Sequence, residues 1–432
     1  MNKMSTYWSS LRTSDVYFNI SYAMMMIMMA LLPYTTFFMW PIGITLMVLW
    51  VCQWNWREKW ENFKANDGIP YGIFLLCICL IPLLGFINSE NIPIAWRSFE
   101  AHLWFFFAPL VFLTSSSKLW SKRHVQTLLF LFSVNEIIFL AFLFFHGIYK
   151  MCTTGDTSYM YNDLFCCERH HAYISLYANF VYLLIFQYLI KNINKISKKR
   201  KIFLFGLELF ISVCIFYAYS RAGILIFLFM HLVWCSYTIH LKRSSWKIMT
   251  ALAISMFALF STLIVTSPIN RFTEEAIFFH RKPGDDREID PRRIIWEASK
   301  EAAIDNLPWG VGTGDGNDII VKYYHKNGYW LSSEHPFNAH NQFLFALLTN
   351  GIPGIIIILF FFCTPLGLAI RHKDILLLSL FLLMTLNCLV ECMFDRRAGV
   401  DFFAVMIPLF IIRTHIYTQN NWTEPKNDTL IY

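Results

Sequence analysis

Charged side chains are scarce in this sequence. They make up 15% of its 432 residues, against about 25% in soluble domains, while 56% of the residues are hydrophobic. This composition excludes a soluble globular domain. Long apolar runs cut by short basic loops predict instead an all-α polytopic membrane protein, because each crossing helix needs roughly 20 apolar residues.

Several short motifs are also absent. No Cys-x-x-Cys pair occurs among the eleven cysteines, so a zinc ribbon is not supported. The glycine-rich segment from Gly310 to Gly316 lacks the Gly-Lys-Ser/Thr ending of a nucleotide-binding loop and predicts a turn. No repeat of solenoid length is present. No small-residue cleavage site follows the Met-rich start, so no cleavable signal peptide is expected.

The apolar runs predict about twelve membrane-spanning helices. They lie at 16–33, 36–53, 69–88, 99–115, 125–147, 170–190, 201–219, 222–240, 247–267, 341–363, 374–391 and 400–415. One large polar loop separates the ninth helix from the tenth. The break at Tyr219-Ser220-Arg221 rests on the weakest pattern of all these boundaries.

Lysine and arginine counts predict the orientation. With the N-terminus in the cytoplasm, the inner loops and helix ends hold 21 of these residues, whereas the short outer loops hold six. Short basic loops stay inside, so both termini are expected in the cytoplasm of a bacterium. The long loop is then expected on the periplasmic side of the inner membrane, where there is no ATP. The basic run Lys191–Lys201 is a solvated inner loop, and no nucleic acid is expected as a partner.

This topology divides the chain into four parts. They are helices one to nine in 1–267, a periplasmic loop domain with short amphipathic helices in 268–340, helices ten to twelve in 341–415, and a cytoplasmic tail in 416–432. Cys152, Cys166 and Cys167 share one outer loop in an oxidising compartment. A disulfide from Cys152 to Cys166 or Cys167, or no disulfide, remains open.

Ser220-Arg221-Ala222-Gly223 lies between two apolar runs at the outer membrane boundary. An arginine at membrane depth is costly and marks a functional site by default. A guanidinium binds phosphate oxygens in a bidentate manner, and Gly223 allows close backbone approach. Arg221 is therefore predicted to bind phosphate, with contact to lipid headgroups as the structural alternative.

Asp290-Pro291-Arg292-Arg293 predicts the start of an amphipathic helix in the long loop. Its apolar face comprises Ile295, Ala298, Ala302 and Leu307. Two cations in a first turn oppose the helix dipole. That placement suits an anion bound at the same end, and pairing of the arginines with nearby acids such as Glu297 is the alternative.

His340 directly precedes the tenth predicted helix. A neutral imidazole at the outer boundary is a candidate general base near pH 7. The alternative is a structural histidine at the boundary. A metal pair with His335 lacks matching carboxylates, so no metal is expected.

Further polar residues are predicted at the same boundary. Arg169 and His171 lie at the start of the sixth helix, and Arg396 and Arg397 lie in the last outer turn. Arginines can neutralise a diphosphate leaving group without metal, and an imidazole can activate an attacking hydroxyl. A lipid diphosphate ester is already activated, so no ATP is required.

The ordered set of motifs resembles the bacterial O-antigen ligase and polymerase family. It comprises SRAG at 220–223, Arg292 four residues before Trp296, PWGVGTG at 308–314, and His340-Asn341 followed by FLFALLTNGIPG. The resemblance is strong over 200–400 and rests on topology before that. The large loop between helices nine and ten is similar to the O-antigen ligases in particular.

The resemblance implies a membrane glycosyltransferase of GT-C type. Such an enzyme moves a glycan from undecaprenyl diphosphate to lipid A–core, inverting the anomeric centre without metal or cofactor. Arg221 and Arg292 would bind the diphosphate, and His340 would activate the acceptor hydroxyl. Arg293 shares the basic neighbourhood without a clear motif position. Four residues have no firm counterpart in the family: Arg169, His171, Arg396 and Arg397.

Other functions remain as alternatives. A repeat-unit polymerase or a protein O-oligosaccharyltransferase would use the same chemistry on a different acceptor. A transporter of lipid-linked glycans belongs to a different class and would place polar groups at mid-membrane. Glu136 and Glu208 are the candidates for such groups.

Overall fold

The computed structural model describes residues 14–115, 120–160, 165–167, 169–240, 291–329 and 338–419. Every regular element within these ranges is helical, as the composition predicts. The predicted ninth span at 247–267 and the first part of the predicted loop, 268–290, lie outside the described residues. His335 also lies outside them.

The part of the chain before residue 193 forms helices of very different lengths. They are α1 (Ser14–Leu31), α2 (Met39–Cys52), α3 (Trp56–Ala65), α4 (Ile73–Cys77), α5 (Leu80–Gly85), α6 (Ile92–His102), α7 (Trp104–Leu113), α8 (Lys122–Thr154) and α9 (His171–Asn192). A π-helical turn at Gly68–Gly72 precedes α4, and a 3-10 turn at Thr157–Met160 follows α8.

The remaining described helices include the longest apolar elements. They are α10 (Lys198–Tyr217), α11 (Arg221–His240), α12 (Pro291–Asp305), α13 (Gly316–Lys326), α14 (Gln342–His372), α15 (Ile375–Val390) and α16 (Arg397–Gln419). By length and composition, α8, α9, α11, α14 and α16 can each cross a membrane, and α1, α2 and α15 are shorter apolar helices. The chain is therefore a polytopic membrane protein, and the total of twelve spans stays a prediction.

Two predicted spans are not single helices. The run 69–88 divides into the π-turn, α4 and α5, and the run 99–115 divides between α6 and α7. Prolines at 70 and 82 cannot donate a backbone hydrogen bond, which explains the interruptions in the first run. The predicted inner loop 54–68 contains α3, which buries Phe63.

The core is centred on α9 and α16. The apolar length of α9 is buried throughout, and nearly all of the apolar length of α16 is buried as well. Phe132 of α8, Phe180 of α9 and Phe402 of α16 meet there, with ring centroids 5.2–5.9 Å apart. Neighbouring helices thus cover α9 and α16. This packing fixes the first residues of α9 relative to those of α16.

The long helix α14 defines two ends of the helix bundle. Its 31 residues would span about 46 Å if straight, with a kink at Gly351, where φ is 60°. We call them the His340 end and the Asp374 end. Asp315 accepts hydrogen bonds from the backbone of Glu90 and Asn91 at the first end, and Arg413 pairs with Asp374 at the second.

The cysteine alternatives resolve against a disulfide. All eleven cysteines lie in the described part of the chain, and none of them is bonded to another. Cys152 is exposed and Cys166 is buried, while Cys167 Sγ lies 3.3 Å from His146 Nδ1.

Candidate functional site

His340 is held by the turn that leads into α14. Asn341 caps this helix by accepting hydrogen bonds from the backbone N–H groups of Phe343 and Leu344, both at 3.0 Å. His340 itself has a positive φ of 43°, a conformation that costs energy for a residue with a side chain. Such strain persists only where the surroundings over-determine it, as they often do at functional sites.

The surroundings that fix His340 belong to the segment 391–395, which joins α15 to α16. Asn338 Nδ2 donates to Asp395 Oδ2 at 2.8 Å. Gln342 Oε1 accepts a hydrogen bond from the Phe394 backbone at 2.8 Å. Asn338 and Gln342, which flank His340, are therefore both anchored to one turn. The imidazole between them faces the same turn.

Glu391 is the partner of that imidazole. His340 Nδ1 lies 3.0 Å from Glu391 Oε2 and 3.1 Å from Oε1. The carboxylate side chain is 8% exposed and the imidazole 20%. Burial by itself raises the pKa of Glu391, but the hydrogen bond and charge of His340, with help from His170 and the Cys392 N–H, hold that pKa below its usual value.

The sequence did not reveal this pair. Glu391 was part of the last outer turn, but its separation of 51 residues from His340 hid the contact. A carboxylate that accepts Nδ1–H favours the tautomer in which Nε2 of the same ring carries the lone pair. The arrangement can thus orient a neutral imidazole and stabilise it when it takes up a proton.

His170 lies on the other side of Glu391. Its Nε2 is 3.8 Å from Glu391 Oε2, and its ring stacks on that of His171 at 4.7 Å. Burial lowers the pKa of His170 to about 4, although the charge of Glu391 opposes this shift. His170 is therefore neutral at pH 7.

Arg221 begins α11 at the same end. Tyr219, with a φ of 54°, ends the preceding helix, and Ser220 Oγ caps the new one by accepting from the Gly223 N–H at 3.1 Å. A Cβ at position 223 would lie 1.8 Å from Ser175 Oγ of α9. The glycine thus lets the Arg221 turn pack closely against α9, one turn along from His170.

Arg292 and Arg293 lie in the first turn of α12, as predicted, but in different surroundings. Arg293 is exposed, and its Nε lies 3.9 Å from Glu297, which is the predicted acid pairing. Arg292 is half-buried. The two arginines therefore do not act as one unit.

The apolar face of α12 brings Arg292 near His340. Ile295, Ala298 and Ala302 are buried in a cluster that also contains Ala339 and Cys392, the neighbours of His340 and Glu391. Leu307 does not join this face, because α12 ends at Asp305 and Leu307 is 43% exposed. The predicted face is correct at three of its four positions.

The structure thus gathers the segments that carry Arg221, Arg292 and His340 at one end of the bundle. A comparison with known families matches residues 207–359 to the family model described as O-antigen ligase. We call this matched segment, residues 207–359, the O-antigen ligase family domain. No curated protein matches the chain.

The O-antigen ligase family domain includes Arg221, Arg292 and His340, whereas Glu391 lies beyond its end. Members of this family are membrane glycosyltransferase-like enzymes. The match confirms the family resemblance over residues 207–359 and supports an enzyme role.

The glycine-rich segment of the domain has a structural role. The Val311 and Gly312 N–H groups donate to the carbonyls of Leu348 and Thr349, both at 2.9 Å, just before the kink in α14. The Gly314 N–H donates to Ser89 Oγ at 2.8 Å. These N–H groups are occupied by protein acceptors, so the segment forms the predicted turn and docks the loop onto α14.

An apolar groove adjoins the His340 turn within the domain. It encloses about 370 Å³ between α12 and the first turns of α14, and it begins beside Asn341. Its other lining residues are Trp296, Lys300, Phe343, Leu344, Leu347 and Ile355. We call it the apolar groove, and Lys300 is its one charged lining residue.

A second cavity lies on the opposite side of Glu391 and contains the other predicted arginines. It encloses about 360 Å³, and Arg169, Arg396 and Arg397 line it together with His170. We call it the arginine cavity. His171 stacks behind His170 and is not among the lining residues.

Proposed function

We propose that this protein is an O-antigen ligase that transfers a glycan from undecaprenyl diphosphate to lipid A–core on the periplasmic side of the bacterial inner membrane. The observation that carries the proposal is the His340–Glu391 pair at 3.0 Å. The pair lies at the His340 end of the helix bundle, in a chain whose residues 207–359 match the O-antigen ligase family model. No cofactor enters the reaction.

In the proposed reaction, His340 is the general base. Glu391 accepts the Nδ1–H, which leaves the Nε2 lone pair for the proton of the acceptor hydroxyl. The hydroxyl oxygen attacks the anomeric carbon, and the bond from that carbon to the diphosphate oxygen breaks. The electron pair leaves with undecaprenyl diphosphate, and a single displacement inverts the anomeric centre.

Arg221 and Arg292 would bind the diphosphate. Charge builds up on the leaving group as the bond breaks, so guanidinium groups there stabilise the transition state more than the ground state. The apolar groove beside Asn341 supports a lipid-linked donor, because it offers a path for part of a prenyl chain next to the base.

The test is transfer by the purified protein in detergent or nanodiscs, with defined lipid-linked donor, lipid A–core acceptor and a chelator. His340→Gln is expected to reduce transfer by at least a hundredfold without changing membrane insertion or melting temperature. Arg371→Gln is the matched control, since Arg371 lies at the Asp374 end, 3.8 Å from Asp67. Unchanged transfer by His340→Gln would remove the base assignment.

A deletion strain tests the acceptor. Loss of a ligase leaves lipid A–core bare, whereas loss of a repeat-unit polymerase leaves lipid A–core carrying a single unit. Bare lipid A–core is the expected result. Complementation with His340→Gln should leave it bare, and complementation with Arg371→Gln should restore the glycan.

A further inference from the structure

The arginine cavity is built from parts of the chain outside the O-antigen ligase family domain. Pro33 follows α1, and Glu136 and Phe139 belong to α8. Arg169 and His170 precede α9, Arg396 precedes α16, and Arg397 is the first residue of α16. Its volume of about 360 Å³ falls in the range of small-ligand sites. It is large enough for a phosphorylated sugar unit.

The three guanidinium groups of the cavity differ in how they are held. Arg169 donates to the Pro33 carbonyl at 2.9 Å and lies 4.6 Å from the Phe139 ring centroid. Arg397 pairs with Glu100 at 3.0 Å. Arg396 is exposed, and its side chain forms no hydrogen bond or ion pair with the residues that the structure describes. The guanidinium groups of Arg169 and Arg397 are held by protein partners, and that of Arg396 is available to a ligand.

The lining of the cavity carries more arginines than acids. Glu136 is the carboxylate that lines it, from the middle of α8 and beside Arg169. Arg397 pairs with Glu100, whereas Arg396 forms no ion pair with the residues that the structure describes. An anion with several oxygens would suit such a cluster, because guanidinium groups bind phosphate oxygens in pairs.

The proposed donor does not account for this excess. A diphosphate diester carries about two negative charges, and Arg221 and Arg292 already match them. The arginine cavity holds three more guanidinium groups, and His170 separates it from Glu391. A second anionic group therefore fits beside the base, on the side away from the apolar groove.

We propose that the arginine cavity binds a phosphate group on a sugar of the glycan acceptor and thereby places the neighbouring acceptor hydroxyl at His340. This inference rests on the proposed transferase function and deepens it. Arg396 is then a specificity residue for phosphorylated acceptors, and Arg169 and Arg397 shape the cavity around it.

The experiment compares Arg396→Gln with the parent protein on two acceptors, lipid A–core with its core phosphates intact and the same core after enzymatic removal of those phosphates. We expect the KM for the intact acceptor to rise roughly tenfold, with kcat and the donor KM unchanged. The dephosphorylated acceptor should bind the parent protein and the variant equally weakly. Arg371→Gln, at the Asp374 end, is the matched control.

Four results would overturn the inference. A rise in the donor KM would assign the cavity to the diphosphate, equal losses on both acceptors would show that phosphate is not recognised, and no change would remove Arg396 from recognition. Inhibition of the parent protein by phosphatidylglycerol vesicles, lost in Arg396→Gln while both acceptors behave alike, would assign the cavity to a lipid headgroup.

Binding without donor separates this inference from the proposed function. The intact and dephosphorylated cores are titrated into the parent protein, Arg396→Gln and Arg371→Gln, and bound fraction is followed by microscale thermophoresis. Phosphate-dependent binding that needs Arg396 supports the cavity even if no transfer occurs. Transfer that depends on His340 without phosphate-dependent binding supports the enzyme and contradicts the cavity.

Discussion

The apolar groove and the arginine cavity lie on two sides of the His340–Glu391 pair and have nearly the same volume, about 370 and 360 Å³. Their linings differ. The groove has Lys300 as its single charge among aromatic and aliphatic side chains, whereas the cavity is lined by three arginines. The chemistry of their linings therefore distinguishes the two spaces, and their volumes do not.

The two spaces also differ in their origin along the chain. The groove is made by α12 and α14, inside the O-antigen ligase family domain, whereas the lining residues of the cavity lie outside it. This division suits a donor site built from the family domain and an acceptor site built from the remaining helices. Substitutions at Arg292 and Trp296 test the donor side of that division, and Glu391→Gln tests the pair between the two spaces.

The largest expected effect is on the donor side. Arg292→Gln should raise the donor KM roughly a hundredfold, because a guanidinium that binds a buried phosphate contributes several hydrogen bonds to charged atoms. Steady-state transfer at fixed acceptor concentration measures it. Arg221→Gln should act in the same direction.

Arg293→Gln is the matched control on the same turn. Arg293 is exposed and its pairing with Glu297 is a surface salt bridge, worth less than about 1 kcal/mol. The donor KM of the Arg293→Gln variant should change by less than about threefold. Equal effects at 292 and 293 would contradict the assignment of Arg292 to the diphosphate.

The next prediction concerns Glu391, which lies between the apolar groove and the arginine cavity. Glu391→Gln keeps the shape of the side chain but removes the charge that orients and stabilises the His340 ring, so kcat should fall about tenfold. The KM values for donor and acceptor should stay within about twofold, which steady-state kinetics resolves. A selective rise in either KM would place Glu391 in a binding site instead.

A smaller effect is expected in the apolar groove. Trp296 is 39% exposed at the groove, and its replacement by Ala removes apolar contact, so the donor KM should rise severalfold. The acceptor KM should stay unchanged. The effect should vanish with a donor whose prenyl chain is too short to reach the groove, and persistence with the short chain would argue against a lipid path there.

The last effect is on stability and not on transfer, and it depends on pH. His170 has a folded pKa of about 4 because it is buried, against 6.5 for a free histidine. The unfolded state takes up a proton as the pH falls below 6.5, whereas the folded state does so only near pH 4. The free energy of unfolding should therefore decline by up to about 3 kcal/mol across that window.

Thermal unfolding in detergent between pH 7 and pH 4 checks this decline. His170→Asn removes the titrating group and should flatten the curve in that window. A parallel curve for the variant would show that other groups carry the pH dependence.

Much of the fold followed from local pattern. The sixth predicted span, 170–190, corresponds to α9, and the break at Tyr219 exists as predicted. Two predicted spans are divided into shorter helices. Pro70 and Pro82 explain the division of 69–88, because proline interrupts helical hydrogen bonding without making a run polar. The amphipathic helix α3 was not predicted, because it lies in the polar segment 54–68 that was interpreted as an inner loop.

The site residues were only partly accessible to the same reasoning. Arg221, Arg292 and His340 each stand at the start of a helix, which motif and capping chemistry indicate. Their roles stay predictions. The distinction between Arg292 and Arg293 depended on which side of α12 packs against Ala339 and Cys392, and one turn of sequence does not show that.

The sequence by itself determined that the chain spans a membrane with helices, that polar residues gather at helix starts, and that their order matches a known family. These properties depend on hydropathy, capping and spacing, which are local. Only the tertiary structure decided that Glu391 faces His340, that His170 stands behind it, and that two spaces of opposite character flank the pair. Contacts between residues far apart in the chain arise from helix packing, which no local pattern records.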